Sequence, residues 1–171
     1  MNGYIINAGS KRDSRAIGLD TRKGNYIENI RSDERCPAAL SDAYDGHKKE
    51  HPGIEARSLS ARYNCMGLVF ASRRTSIDVD PTIKLILEDD EYTLVAETKD
   101  VQEGDIIVYY KDKRPTHVGI VARIGKSIEK AEFNITILSQ WGRDGEYFHS
   151  VDNIPSYYGT KFEYWTDRKH V

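Results

Sequence analysis

Apolar positions divide the chain into a helical half and a strand-rich half. Pro37 opens the stretch Pro-Ala-Ala-Leu-Ser-Asp-Ala-Tyr, which predicts a short helix because proline suits a first helical turn. Gly46 is its expected stop, and residues 47–53 read as a loop. Residues 64–74, NCMGLVFASRR, are apolar nearly all round at first, the pattern of a helix buried in a core. Asn64 is its expected N-cap, since its side-chain oxygen can accept a free backbone N–H. Asp80-Pro81 predicts another helix start, with aspartate capping, proline in the first turn and residues 82–87 as the body.

From Tyr92 the period is that of strands. Residues 92–96, 106–110, 116–122 and 133–139 are rich in β-formers. Tight connections at Glu103-Gly104-Asp105 and at 111–115 make an antiparallel meander the expectation. Helices first and sheet second is an α+β layout, not alternating βαβ units. Residues 1–33 read as an irregular polar arm with one short strand at Tyr4-Ile5-Ile6. The expected organisation is one domain over 1–171: arm 1–33, helical part 34–91, sheet part 92–171.

Length agrees with this, because 171 residues suffice for one sizeable core and are short for two. The net charge of −2 offers no basic excess for a phosphate backbone, so nucleic acid is not an expected partner. No apolar run approaches the roughly 20 residues that span a bilayer, so membrane insertion is not expected. The first residues show neither a basic n-region nor an apolar h-region. A cytoplasmic location as encoded is the expectation, with export by another route open. Oligomeric state is not legible. Two cysteines, Cys36 and Cys65, are too few for a disulfide-stapled mini-domain.

Cys65 falls at the predicted first turn of the buried helix, where free N–H groups favour a thiolate, the nucleophilic form. The alternative is a small core cysteine. His117 opens a strand in which residues 117, 119 and 121 share one face, with Gly119 leaving room beside the ring. Its proton affinity near neutrality suits a general base; the alternative is a capping or surface histidine. Cys36, His47 and His51 have a partial metal spacing, with 47 and 51 at i, i+4. Gly46 and Pro52 bracket them and no fourth ligand is evident, so neither metal nor other cofactor is expected.

Three segments, "YNCMGLVFASR", "VQEGDIIVYY" and "THVGIV", resemble in order and style the NlpC/P60 and CHAP branches of the papain-like superfamily. The likeness covers about residues 60–125, with weaker echoes to about 150. It implies a papain-like fold in which the nucleophile helix packs on an antiparallel sheet. It also implies a cysteine peptidase or amidase that cleaves an amide bond through a thioester. The implied substrate is a peptide, a protein or peptidoglycan. Cys65 would be the nucleophile and His117 the base, 52 positions later, with the backbone N–H of Cys65 helping to hold the oxyanion.

The residue that would orient the imidazole falls in Ser139-Gln140-Trp141-Gly142, which is similar to the "E-x-N-W" end of CHAP domains but lacks the usual acid or asparagine. Gln140 is the first candidate, because its carbonyl can accept from an imidazole N–H. Ser139 could do so more weakly, from the opposite strand face; Asn134, Glu146 and His149 stand in reserve. Tyr63, Ser139 and Trp141 are candidate substrate-binding residues. Residues 143–159 match nothing in the family pattern and are read as wrapping the sheet edge or shaping a cleft. An acyltransferase or deamidase effector on the same fold, or a non-catalytic binding module, are the alternative functions.

Overall fold

In a computed structural model, residues 15–126 and 133–169 are described. Three helices, α1 (Pro37–Glu50), α2 (Cys65–Phe70) and α3 (Thr82–Asp89), accompany seven strands among these residues. The strands are β1 (Glu55–Ser58), β2 (Thr93–Val95), β3 (Ile106–Lys111), β4 (Arg114–Lys126), β5 (Phe133–Gln140), β6 (Glu146–Ser150) and β7 (Lys161–Thr166). They form one antiparallel sheet in the order β1-β6-β5-β4-β3-β7-β2. The protein is thus α+β. Strands β3 to β6 make the expected meander; β7 then returns to the free side of β3, and β2 pairs outside it.

Side chains alternate between the faces of the sheet. On one face Ile106, Val108 and Val118 pack with Cys65 and Met66 of α2 and with Ile83, Ile86 and Leu87 of α3. On the other, Ile107, Tyr109, Val121, Ile137, Trp141 and Tyr147 form a second cluster, against which Tyr44 of α1 packs. Helices on both faces leave the middle strands of the sheet dry.

Several sequence expectations need correction. Helix α1 does not stop at Gly46 but runs to Glu50, so His47 lies in its last turn and His51 is its C-cap residue. A glycine in a helix costs only about 1 kcal/mol. Here the basic last turn of His47, Lys48 and Lys49 complements the helix dipole. Pro81, not Asp80, holds the N-cap position of α3, and no side chain caps it. Strands β1, β6 and β7 were not anticipated, and β1 falls within the supposedly helical part. The strand expected at Tyr4-Ile5-Ile6 lies outside the described residues.

Helix α2 is held from its start. Asn64 Oδ1 accepts from the N–H of Gly67 at 3.0 Å and of Ile77 at 3.1 Å, while its Nδ2 donates to Ile77 O at 2.6 Å. One side chain therefore caps the helix and ties it to the loop that follows. Gly67 lets that loop come close: a Cβ built there would lie 1.7 Å from Thr75 O. Gly67→Ala is expected to destabilise the protein by about 3 kcal/mol, the upper end of overpacking costs, because the obstacle is backbone. Urea unfolding checks this; a midpoint within error of the unsubstituted protein would contradict the packing.

Candidate functional site

Asn64 places Cys65 at the first position of α2, against β4. Its side chain is 5 % exposed, and both cysteines are free thiols. Burial, the largest influence, pushes the Cys65 thiol up to about 11. Backbone N–H groups of Val118, Met66 and Cys65 itself are directed at the sulfur and pull the other way, but do not outweigh it. In this conformation the group is a thiol rather than a thiolate.

His117 is fully buried, and neither ring nitrogen has a hydrogen-bond partner. Burial first, and repulsion from His149 second, hold its pKa well below the ordinary value, so the ring is neutral. In register it lies opposite Tyr109, with ring centroids 5.9 Å apart, on the face away from the α2 layer. The neighbouring Val118 points into that layer beside Cys65. The sulfur reaches the main chain of Val118 instead, and no bond joins thiol and imidazole.

The ring packed against His117 is Tyr158, which the sequence pattern does not single out. Its ring stacks on His117 with centroids 3.8 Å apart and planes 27° from parallel. Burial raises its phenol far above the ordinary range, with smaller contributions from Tyr157 and Cys65. The available signal was Tyr157-Tyr158-Gly159, an aromatic pair followed by a glycine that permits a tight turn.

The other expected residues are engaged elsewhere. Gln140 Nε2 donates to Ser60 O at 2.8 Å and to Gly142 O at 3.3 Å, while its Oε1, like both His117 nitrogens, has no partner. The expected Gln140–imidazole bond is therefore not made. Ser139 points to the opposite face and bonds His149. His149 Nδ1 lies 2.9 Å from Ser150 O, an acceptor only, so Nδ1 carries the proton. Nε2 then accepts from Ser139 Oγ at 2.8 Å, and Ser139 Oγ in turn accepts from Trp141 Nε1 at 3.0 Å. This chain is complete and buried. Ser139 and Trp141 thus belong to the core rather than to a cleft wall.

Tyr63 is also inside, donating to Glu146 Oε1 at 2.6 Å. The buried Glu146 carboxylate further accepts from Arg73 Nε at 2.5 Å and from Arg57 Nη1 at 2.7 Å. It is a clamp joining the approach to α2, its exit, and β1 to β6. Removing one partner of such a network typically costs about 3–5 kcal/mol, because a charge is stranded. Among the reserves, Asn134 is exposed. His47 Nε2 pairs with Asp144 at 2.9 Å and His51 Nδ1 with Asn153 at 3.1 Å. Among the described residues no group of three or more His, Cys, Asp or Glu is arranged to hold a metal ion. No described helix is long and apolar enough to cross a membrane.

Open clefts lie elsewhere. One of about 570 Å³ is lined by Tyr110, Lys113, Thr160, Lys161, Phe162 and Glu163. Another of about 340 Å³ runs from Leu94 to Arg168 along β2. Neither touches Cys65 or His117.

The buried imidazoles carry a pH dependence. Burial is the main cause that lowers His149 from 6.5 to about 4. Below pH 6.5 the unfolded chain takes up a proton that the folded one refuses, so stability is full above that pH and falls as pH drops toward 4. His117 acts in the same direction. The loss expected from His149 alone is about 2 kcal/mol by pH 4.5. Urea unfolding at pH 7.5 and 4.5 measures it. His149→Gln should make the slope shallower, and an unchanged slope would exclude this residue as a cause.

Compared with protein-family models, with curated proteins and with solved structures, the chain gives no match.

Proposed function

We propose that the chain is a papain-like cysteine hydrolase of the NlpC/P60 or CHAP kind, closed over its site, with Cys65 as nucleophile and His117 as base. One observation carries the reading: His117 is a wholly buried imidazole whose two ring nitrogens are both unmet. Leaving such atoms unpaired costs on the order of 1–3 kcal/mol each, and natural cores pair them. The His149–Ser139–Trp141 chain, on the next two strands, is fully satisfied. An unmet imidazole is explained where a reaction will complete its bonds.

The chemistry follows from these two groups. His117 takes the Cys65 proton as the sulfur attacks an amide carbonyl, forming the S–C bond. The backbone N–H of Cys65 would help to hold the oxyanion, as donors at a helix start can. His117 then gives its proton to the departing amine as the C–N bond breaks. Water, deprotonated by the same ring, hydrolyses the thioester and frees the thiol. Hydrolysis rather than transfer requires water to reach that acyl group. The substrate proposed is a peptide, a protein or a peptidoglycan stem peptide.

A non-catalytic binding module is the second reading, favoured by the raised Cys65 thiol. Purified peptidoglycan fragments and a peptide mixture separate the two. The hydrolase reading expects new amine termini, an acyl adduct on Cys65 by mass spectrometry, and no turnover in Cys65→Ala. His117→Ala should lose about 10²–10⁴-fold in rate. Turnover that survives Cys65→Ala would falsify the assignment.

A further inference from the structure

The tip of the β3–β4 hairpin and the start of β7 gather positive charge on a chain whose net charge is −2. Lys111 pairs in register with Arg114, Tyr110 pairs with Lys161, and Lys113 sits in the turn. Against these four cations stand only Asp112 and Glu163. All four are exposed, and none forms an ion pair among the described residues.

The backbone shapes this charge around a cleft of about 570 Å³. Asp112 and Lys113 have φ +50° and +65°, the left-handed conformation that glycine fills most easily in a two-residue hairpin turn. A lysine takes the second place instead and lines one side of the cleft. Gly159 sets the other side. Its φ is +91°, and a Cβ there would lie 2.1 Å from Tyr110 O, so only glycine lets the chain pass this close to β3 and bring Thr160 and Lys161 to the cleft.

The walls differ in chemistry. Tyr110 and Phe162 supply aromatic surface, with Phe162 36 % exposed. Glu163 accepts from the Tyr110 hydroxyl at 2.7 Å, which fixes the carboxylate beside that ring. Lys161 and Glu163 are two apart on β7 and so leave the same face of the strand. One small volume thus presents two unpaired ammonium groups, a carboxylate with acceptor capacity left, and two rings. These match a ligand with an anionic end, an N–H next to it and an apolar side chain.

We propose that this cleft binds the carboxyl-terminal residue of a peptide. The terminal carboxylate lies between the ammonium groups of Lys113 and Lys161, and the N–H of the last residue donates to Glu163. Its side chain packs on Tyr110 and Phe162. A cleft of this size suits a small ligand or a chain end rather than a folded partner. A phosphate-rich ligand is disfavoured, because Glu163 repels further negative charge while it accepts from an N–H. The inference uses neither Cys65 nor His117 and stands apart from the hydrolase reading.

Ligand-detected NMR titration of the full chain with N-acetyl-Gly-Gly-Phe at pH 7.5 tests it. Acetylation removes the amino terminus, so the carboxylate is the only charge on the probe. A dissociation constant of about 1 mM or tighter is expected for so small a ligand. The same peptide as its carboxyl-terminal amide should bind about tenfold more weakly, because the charge-assisted bonds are gone. The double variant Lys113→Gln, Lys161→Gln changes only exposed side chains. It should weaken the acid by about tenfold or more and leave the amide unchanged, a pattern that general loss of structure does not give. Phenyl phosphate, the probe for a phosphate site, should bind more weakly than the peptide acid. Equal affinity for acid and amide, an unchanged constant for the acid in the double variant, or tighter binding of phenyl phosphate overturns the proposal.

Discussion

A helix of six residues has no stability of its own, because nucleation consumes what a single turn and a half returns. Helix α2 exists because its two ends are bonded to the rest of the chain. Asn64 caps the start and at the same time fastens it to Ile77. Arg73, just past the end, reaches the same buried Glu146 that accepts from Tyr63 just before the start. Gly67 lets the Thr75 carbonyl sit against the helix between these anchors. Remove that seating and Cys65 has no fixed position against β4, and neither the thiol nor the imidazole keeps its surroundings.

The fold was legible where period and punctuation agree. Asn64 is the cap it was read to be, and four strand segments fall on β2, β3, β4 and β5. What stayed hidden depends on partners distant in sequence. Strand β1, Glu-Ala-Arg-Ser, is a polar four-residue edge with no strand signature, made a strand by pairing with β6 ninety residues later. Strand β7 fills the place beside β3 that a simple meander leaves free. Gly46 reads as a helix stop on local rules; the hydrogen bond between His47 and Asp144 and the edge contact of His47 with Trp141 hold the last turn beyond it.

The site was legible to a lesser extent, for the same reason. Cys65 sits at the helix start and His117 on its strand, as expected. The environments that decide their chemistry come from other elements. Ser139 and Gln140 lie on opposite faces, as strand alternation requires. Each bonds something other than His117, because His149 and the Ser60 carbonyl are the partners that tertiary packing supplies. Tyr158 comes from a segment that matches no pattern, and it stacks on His117, which lies in one that does.

For a thiol and an imidazole to work as an ion pair, the thiol must give up its proton more readily than the imidazolium does. Here the order is reversed. Burial pushes Cys65 to about 11 and draws His117 below its ordinary range. Both displacements have the same sign of cause, removal of water from a group that would be charged. They therefore have the same remedy, and a single movement that readmits water corrects both at once. A fixed neighbouring charge would not suffice, since one whose sign favours thiolate disfavours imidazolium. Around Cys65 the apolar side chains of α2, α3 and β3, and against His117 the uncharged Tyr158 ring, maintain the reversed order. On the proposed reading, readmission of water or of a polar substrate group would be the physical step by which the same two side chains pass from core residues to a nucleophile and its base.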